Sequence, residues 1–230
     1  MINNDFTKFA ISKGLNRSVI EDYRKATNNI ISPTIIEERQ MNAVTIDVFS
    51  ALIRERIIFL GTAIDNDVAN IVNSQLMYLN SLDNETPVKL FINSCGGIID
   101  SGLAIYDVMN WVDCGVETYV MGMAASMASV LSSSGMKGHR YALKNSRIMI
   151  HQPMMGIPPG TQESDIAIAY NEIRKDKELL LGILAENCGK TIEELRADAD
   201  RDHWLTPSEA LPGVYGEFGL IDEIITKKNK

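Results

Sequence analysis

The residues of this chain that could support nucleophilic catalysis are a serine, a histidine and a group of downstream aspartates. Ser126 stands where a β-like run meets a predicted helix, beside backbone N–H groups that have no partner within a helix. His151 follows a predicted strand and enters a loop rich in proline and glycine, where an imidazole can face a cleft. Serine and histidine act together when they touch in space and a carboxylate orients the histidine. Spacing alone does not choose among the available carboxylates, which are Asp198, Asp200 and Asp202.

The stretch around Ser126 also has simpler interpretations. A serine among alanines and glycines is usually just a small residue at a tight packing contact. Residues 118–136 carry no charge, and a membrane span is roughly 20 residues long. Two glycines and five serines nevertheless make this stretch too polar for lipid. We therefore predict a buried core helix that begins at Ser126 and has Gly135 as its C-cap.

A pair of glycines, Gly96 and Gly97, follows the predicted strand over residues 88–92. Glycines allow backbone N–H groups to approach a ligand closely. Together with the N–H of Met127, this loop would supply a two-donor oxyanion hole. By itself, a glycine pair is also compatible with a plain strand-to-helix turn.

The elements that must position these residues alternate between strands and helices. The apolar patterns predict strands over residues 56–61, 88–92, 117–121, 139–143 and 147–150. Helices are predicted over residues 48–53, 66–82, 101–112, 126–135 and, approximately, 161–186. This alternation is typical of βαβ units and predicts a largely parallel sheet. The last helix would be about 39 Å long, which favours a contact with another subunit. Capping boxes at residues 191–194 and 206–209 indicate two further helix starts.

Composition and charge argue against several classes of protein. The 230 residues are 45% hydrophobic, enough for one good-sized domain with a real core. A net charge of −8 without any basic run argues against a nucleic-acid partner. No apolar secretory signal is visible, and three cysteines without metal-ligand spacing fit reduced thiols in a cytoplasm. Residues 1–45 are predicted to be an N-terminal extension with a helix over residues 11–26, either a pro-segment or a docking arm.

Longer motifs give the chain a resemblance to a known family, the proteolytic subunit of the Clp protease (ClpP). The resemblance runs from about residue 35 to the C-terminus. Its motifs occupy residues 56–61, 91–97, 101–107, 122–127, 145–153 and 200–206. It implies an α/β chain with the ClpP/crotonase-like fold of repeated ββα units. A protruding handle helix and strand would lie at about residues 152–187, within a peptidase domain over residues 46–230.

The same resemblance implies the catalytic roles. The serine of the Ala-Ala-Ser-Met motif, Ser126, is the nucleophile of a serine endopeptidase. The histidine of the Met-Ile-His-Gln-Pro motif, His151, is the general base. The aspartate of the last motif, Asp202, orients that base, whereas Asp198 receives no role. Substitution of Asp198 by asparagine is accordingly expected to be mild.

The family's oxyanion hole matches the backbone N–H groups of Gly97 and Met127. Cys95 stands in this loop where the family usually has proline. The resemblance further implies two stacked heptameric rings that enclose a chamber, with Asp200 and Arg201 linking ring contacts to the active site. An ATP-driven Clp unfoldase of the AAA+ class would feed unfolded polypeptides into the chamber. Because this chain has no P-loop motif, we expect no cofactor or metal here, with ATP used by that partner.

Two other functions remain open at this point. A crotonase-type enzyme acting on acyl-CoA shares the fold and a two-donor oxyanion hole, but has no Ser–His–Asp set at these positions. A non-catalytic ring subunit of a mixed Clp complex would have the same assembly without chemistry. The leading expectation is a cytoplasmic serine endopeptidase that binds neither nucleic acid nor membrane.

Overall fold

The structure, a computed structural model, describes residues 34–39 and 42–226, with side chains from Asp47 onward. The chain divides into two compact units between Ala51 and Leu52. The helix predicted over residues 11–26 lies outside the described residues. The predicted division into an extension of residues 1–45 and a peptidase domain of residues 46–230 stays a prediction.

The described part of the first unit contains an antiparallel hairpin. Strand β1 (Thr34–Arg39) pairs with β2 (Asn42–Asp47). Helix α1 (Val48–Arg54) begins directly after β2. The sequence analysis did not predict this hairpin, because polar residues interrupt the apolar alternation that usually identifies a strand.

The second unit is built on a seven-stranded sheet whose main path is parallel, which confirms the predicted α/β class. The strands on this path lie in the order β3, β4, β5, β6, β9. Their bounds are β3 Ile57–Leu60, β4 Val88–Ser94, β5 Val116–Ala125, β6 Arg140–Leu143 and β9 Glu223–Ile225. Strand β7 (Arg147–Ile150) pairs in parallel with the far end of β5, beyond β6. Strand β8 (His203–Leu205) pairs antiparallel with β7.

Helices connect the strands and cover the sheet. They are α2 (Asn66–Leu82), α3 (Ile99–Trp111), α4 (Met127–Ser133), α5 (Glu163–Cys188) and α6 (Ile192–Asp198), with a 3₁₀ turn at Pro207–Ala210. The Asp65 carboxylate caps α2 by accepting the Val68 N–H at 2.9 Å. Leu76 of α2 and Leu90 of β4 are fully buried and belong to the same hydrophobic core. No helix in the described ranges is both long and apolar enough to cross a membrane.

Helix α4 is buried along its whole length, as the sequence predicts. It begins at Met127, with Ser126 as its N-cap, and ends at Ser133. The prediction that Gly135 caps it is wrong, because the C-cap is Ser134. Gly135 instead permits close packing, since a Cβ at this position would lie 2.6 Å from Thr118 Oγ1.

Helix α5 has two different halves. Ile166, Ile168 and Tyr170 near its start are exposed, whereas Leu181 and Leu184 near its end are buried. Gly189 closes the helix in the left-handed conformation, with φ of 75°. Residues 151–162 form no strand within the described chain, and three prolines in this segment cannot donate to a ladder. The strand of the predicted handle therefore stays a prediction.

Candidate active site

Ser126 occupies a sharp junction between β5 and α4. Its backbone has φ of 55° and ψ of −127°, an unusual conformation for a residue with a side chain. Its N–H donates to the Met149 carbonyl at 2.9 Å, and its own carbonyl accepts from the Ser129 N–H at 2.9 Å. These bonds hold the strained junction in place. Such strain is often found at functional sites.

His151 reaches Ser126 because β7 runs beside the end of β5. Ala125 is aligned with Met149 in this pair, so the end of β7, and His151 directly after it, lies beside Ser126. The distance from His151 Nε2 to Ser126 Oγ is 2.9 Å. The imidazole is largely enclosed, with 11% of its side chain exposed. This geometry suits transfer of a proton from the hydroxyl to the ring.

Asp202 is the aspartate that contacts the histidine. The antiparallel pair β7–β8 aligns Ile150 with His203, which places Asp202 beside His151. Asp202 Oδ1 lies 3.1 Å from His151 Nδ1. The structure therefore brings together the serine, the histidine and one of the three aspartates that the sequence left open.

Asp198, to which the family resemblance gives no catalytic role, has a different environment. Its carboxylate accepts from the Tyr215 hydroxyl at 2.8 Å and pairs with the Lys190 ammonium. Burial alone would raise the pKa of Asp198, but hydrogen bonds from Lys190 and Tyr215 outweigh it and lower the pKa. Burial, together with Asp198, raises the pKa of Tyr215. Asp198 is thus a structural anchor, which sequence spacing could not reveal.

The Gly96–Gly97 loop packs directly against the serine junction. At Gly96, where φ is 86°, a Cβ would lie 2.7 Å from Ser126 Cβ and 2.9 Å from the Met127 nitrogen. Ile64 fastens the loop, because its N–H donates to the Gly96 carbonyl and its carbonyl accepts from Ile98. The N–H groups of Gly97 and Met127 donate to no acceptor in the described part of the chain. Both donors are therefore available to a ligand.

A cavity of about 100 Å³ opens beside these groups. Ser126 and His151 line it together with several apolar side chains. The apolar part comes from Met127, Val130, Ile150, Leu180, Leu181 and Leu184. Gln152 and Lys177 also line this cavity, and the sequence analysis missed both as site residues. Only the position of Gln152, directly after His151, could have drawn attention to it.

The two residues expected to couple oligomer contacts to the site are exposed in this single chain. The Arg201 side chain is 91% exposed, and its Nε lies 3.8 Å from Asp200 Oδ2 of the same chain. Among the described residues, neither side chain forms a hydrogen bond or ion pair with Ser126, His151 or Asp202. Cys95, beside the glycine pair, is a free, exposed thiol. Within the described ranges, no cluster of three or more histidine, cysteine or acidic side chains could hold a metal ion.

Comparison with known proteins gives a consistent set of relatives. The model of a family described as Clp protease matches residues 39–228. An ATP-dependent Clp protease proteolytic subunit of Porphyromonas gingivalis is 47% identical over 228 residues, covering 99% of this chain and 100% of the relative. The protein with the same description from Bacteroides fragilis strain YCH46 is 46% identical over 98% of this chain and 100% of its own length. One from Streptococcus gordonii is 43% identical over 86% of this chain and 98% of its own.

Proposed function

Because this chain belongs to the Clp protease family, a family of serine proteases, we propose that Ser126, His151 and Asp202 carry out its peptide-bond hydrolysis. The observation that carries this assignment is the unbroken path of two hydrogen bonds, Ser126 Oγ to His151 Nε2 and His151 Nδ1 to Asp202 Oδ1. A serine hydroxyl is a weak nucleophile unless an adjacent base takes its proton. The path supplies that base and a carboxylate that orients it.

The reaction proceeds through an acyl-enzyme. Ser126 Oγ attacks the substrate carbonyl carbon while its proton passes to His151 Nε2. Asp202 accepts a hydrogen bond from Nδ1–H, which keeps Nε2 free to act as base and stabilises the imidazolium that forms. His151 then gives its proton to the leaving amine, and the peptide bond breaks. A water molecule, deprotonated by the same histidine, releases the acyl group and restores the Ser126 hydroxyl.

The negative oxygen of the tetrahedral intermediate would be bound by the N–H groups of Gly97 and Met127. Both donors lack other acceptors in the described chain, and Met127 begins a helix whose N-terminus favours negative charge. The neighbouring cavity, whose lining is mostly apolar, would receive an uncharged side chain of the substrate next to the scissile bond. Removal of one such donor in a serine protease lowers kcat by roughly 10²-fold to 10³-fold.

Substitution Ser126→Ala, combined with covalent labelling, tests the assignment. It removes one oxygen at a small-residue junction, so we expect the assembly to survive and peptide hydrolysis to fall by roughly 10⁴-fold or more. A fluorophosphonate should label wild-type protein at Ser126 and leave the variant unlabelled. Peptidase activity of the variant within tenfold of wild type would refute the assignment. An acyl-CoA turnover assay addresses the crotonase alternative, for which no feature of the site provides specific support.

For the assembly we propose two stacked heptameric rings that enclose the active sites, as the family resemblance implies. The exposed apolar residues Ile166, Ile168 and Tyr170 near the start of α5 support burial of this helix against another subunit. The relatives are described as subunits of an ATP-dependent protease. We therefore propose a cytoplasmic ATP-driven Clp unfoldase of the AAA+ class as the partner and unfolded polypeptides as substrates.

A further inference from the structure

The carboxylate that orients the histidine is itself weakly held. Asp202 is 62% exposed, and His151 is the one side chain that bonds its carboxylate among the residues described. A carboxylate that is this exposed can adopt other rotamers at little cost, because water can replace the lost partner. The position of Asp202 therefore depends on the backbone that carries it.

Gln152 ties that backbone to the segment carrying the histidine. Its N–H donates to the Ala199 carbonyl at 2.7 Å, and its side-chain Nε2 donates to the Asp200 carbonyl at 2.8 Å. On the other side of Asp202, the pairing of β7 with β8 aligns Ile150 with His203. The aspartate is thus fixed between two attachments to the chain around His151.

Lys177 of α5 determines which way the Gln152 amide faces. Its Nζ donates to Gln152 Oε1 at 2.9 Å, and no carboxylate of the described chain forms an ion pair with it. An ammonium can only donate a hydrogen bond, and a backbone carbonyl can only accept one. The amide therefore satisfies both neighbours in one orientation only, with Oε1 towards Lys177 and Nε2 towards the Asp200 carbonyl.

We propose that Gln152 and Lys177 are positioning residues that hold Asp202 against His151 and connect this contact to α5. Lys177 orients the amide, and the amide fastens the turn that carries Asp202. Neither residue takes part in proton transfer. The inference rests on the proposed function, since it assumes that Asp202 orients the catalytic base.

A double-mutant cycle of Lys177→Met and Gln152→Met tests this arrangement. Methionine keeps the length of either side chain and removes its hydrogen bonds. We expect Lys177→Met to lower kcat by about tenfold and Gln152→Met by up to about 10²-fold, with KM little changed for every peptide. Because Lys177 acts through Gln152, the double variant should be no slower than Gln152→Met alone. Additive losses would overturn the proposal.

Two further variants separate positioning from other roles. Lys177→Arg keeps a donor for Gln152 Oε1 and should recover most of the lost rate. Lys175→Met, on the same helix but paired with Glu172, should leave kcat unchanged. If Lys177 contacted substrate directly, Lys177→Met would instead change KM, and by different factors for peptides with acidic and neutral side chains at the cleaved bond. That result would overturn the proposal.

The rate of fluorophosphonate labelling distinguishes failure of this inference from failure of the proposed function. If wild-type Ser126 is not labelled, the proposed function fails, and this inference with it. If wild type is labelled and both methionine variants are labelled at the same rate, only the positioning role is refuted. The proposal expects wild type to be labelled fastest, with both variants slowed by the same factors as their kcat. Particle mass is measured for each variant at equal protomer concentration.

Discussion

Ser126 maintains a backbone conformation that is unfavourable for any residue with a side chain. Strain of this kind has a free energy of about 1–3 kcal/mol and persists only where the surroundings enforce it. Here the Met149 carbonyl and the Ser129 N–H fix the junction, and Gly96 leaves the space that it needs. The Oγ atom is therefore directed at His151 before any substrate arrives.

At the scale of single residues, we predict that the substitution Asp202→Asn lowers kcat sharply. The change keeps the shape of the side chain but replaces the carboxylate that, in our proposal, fixes the His151 tautomer with an amide that can also donate. In a serine protease with a Ser–His–Asp triad, the same substitution lowers kcat by roughly 10⁴-fold. Steady-state hydrolysis of a fluorogenic peptide measures this loss, and we expect particle mass to be unchanged.

The matched control for this substitution is Asp113→Asn. It makes the same chemical change at an exposed position between α3 and β5 and should leave kcat unchanged. Asp198→Asn is unsuitable as a control, because Asp198 binds Lys190 and Tyr215. Equal losses at Asp113 and Asp202, or a loss under tenfold at Asp202, would contradict the assignment.

The sequence alone indicated Ser126 and His151 as candidate catalytic residues, because Ser126 stands at a predicted helix start and His151 follows a predicted strand. These features could not choose among the aspartates, because the choice depends on how β8 pairs with β7, a contact between segments far apart in the chain. The family resemblance supplied Asp202 where physical reasoning stopped. Gln152 and Lys177 were missed for the same reason, since their contacts join three separate segments.

At the scale of elements, Arg140 at the start of β6 connects the parts that surround the site. It is 1% exposed, and its guanidinium forms two hydrogen bonds with the Asp222 carboxylate. It also donates to the carbonyls of Ser133, Asn187, Phe218 and Gly219. The ends of α4 and α5 are thereby fixed to the segment before β9.

The substitution Asp222→Asn should destabilise the fold and alter its response to acid. Burial alone would raise the pKa of Asp222, but the hydrogen bonds from Arg140 outweigh it and lower the pKa. A carboxylate with a lowered folded-state pKa stabilises the fold above its unfolded-state pKa, near 4, and loses this effect as pH falls through the folded-state value. We expect a loss of about 3 kcal/mol at pH 7 and a smaller further loss below pH 4 than in wild type.

Urea unfolding at fixed protomer concentration measures both effects, since assembly contributes to apparent stability. The neighbouring substitution Glu223→Gln is the control, because Glu223 is exposed. It should change the free energy of unfolding by no more than about 0.5 kcal/mol. An Asp222→Asn protein as stable as wild type at pH 7, or equally sensitive to acid, would contradict the role given to the ion pair.

Elements defined by local chemistry were predicted well. The capping boxes at Thr191 and Thr206 and the cap at Asp65 are present, because each depends on side chains within one turn. Predictions that depended on distant contacts were weaker. Gly135 suggested a helix end, whereas its actual environment is set by Thr118 on a neighbouring strand. A local sequence pattern also could not predict that β6 and β7 both pair with β5, at successive positions along it.

At the scale of the whole molecule, the exposed apolar start of α5 and the exposed turn before β8 are the surfaces that we propose for assembly. Large apolar side chains that are exposed together on one helix usually mark an interaction site. Arg201 is nearly fully exposed in the single chain, yet it lies next to Asp202 in sequence. A contact formed by Arg201 with another subunit would therefore act on the backbone that carries Asp202.

We accordingly predict that Arg201→Ala separates the rings and weakens the peptidase. Arg201 is expected to pair across the ring interface with an acidic residue, Asp200 of the facing subunit in our proposal. An exposed ion pair contributes little by itself, but the same pair repeats at every subunit of a ring, and the contributions add. Loss of the contact would also free the turn before β8 and displace Asp202 from His151. Analytical ultracentrifugation measures the mass, and a short peptide substrate measures the rate.

Lys144→Ala is the control for this substitution, because Lys144 is an exposed cation in the turn between β6 and β7. It should keep both the mass and the peptidase rate of wild type. The coupling requires the two losses in Arg201→Ala to occur together, and raising the protomer concentration should restore both in parallel by mass action. An Arg201→Ala protein that remains a double ring with full activity would refute the coupling. Because that result concerns only the contact between rings, it would leave the roles of Ser126, His151 and Asp202 unaffected.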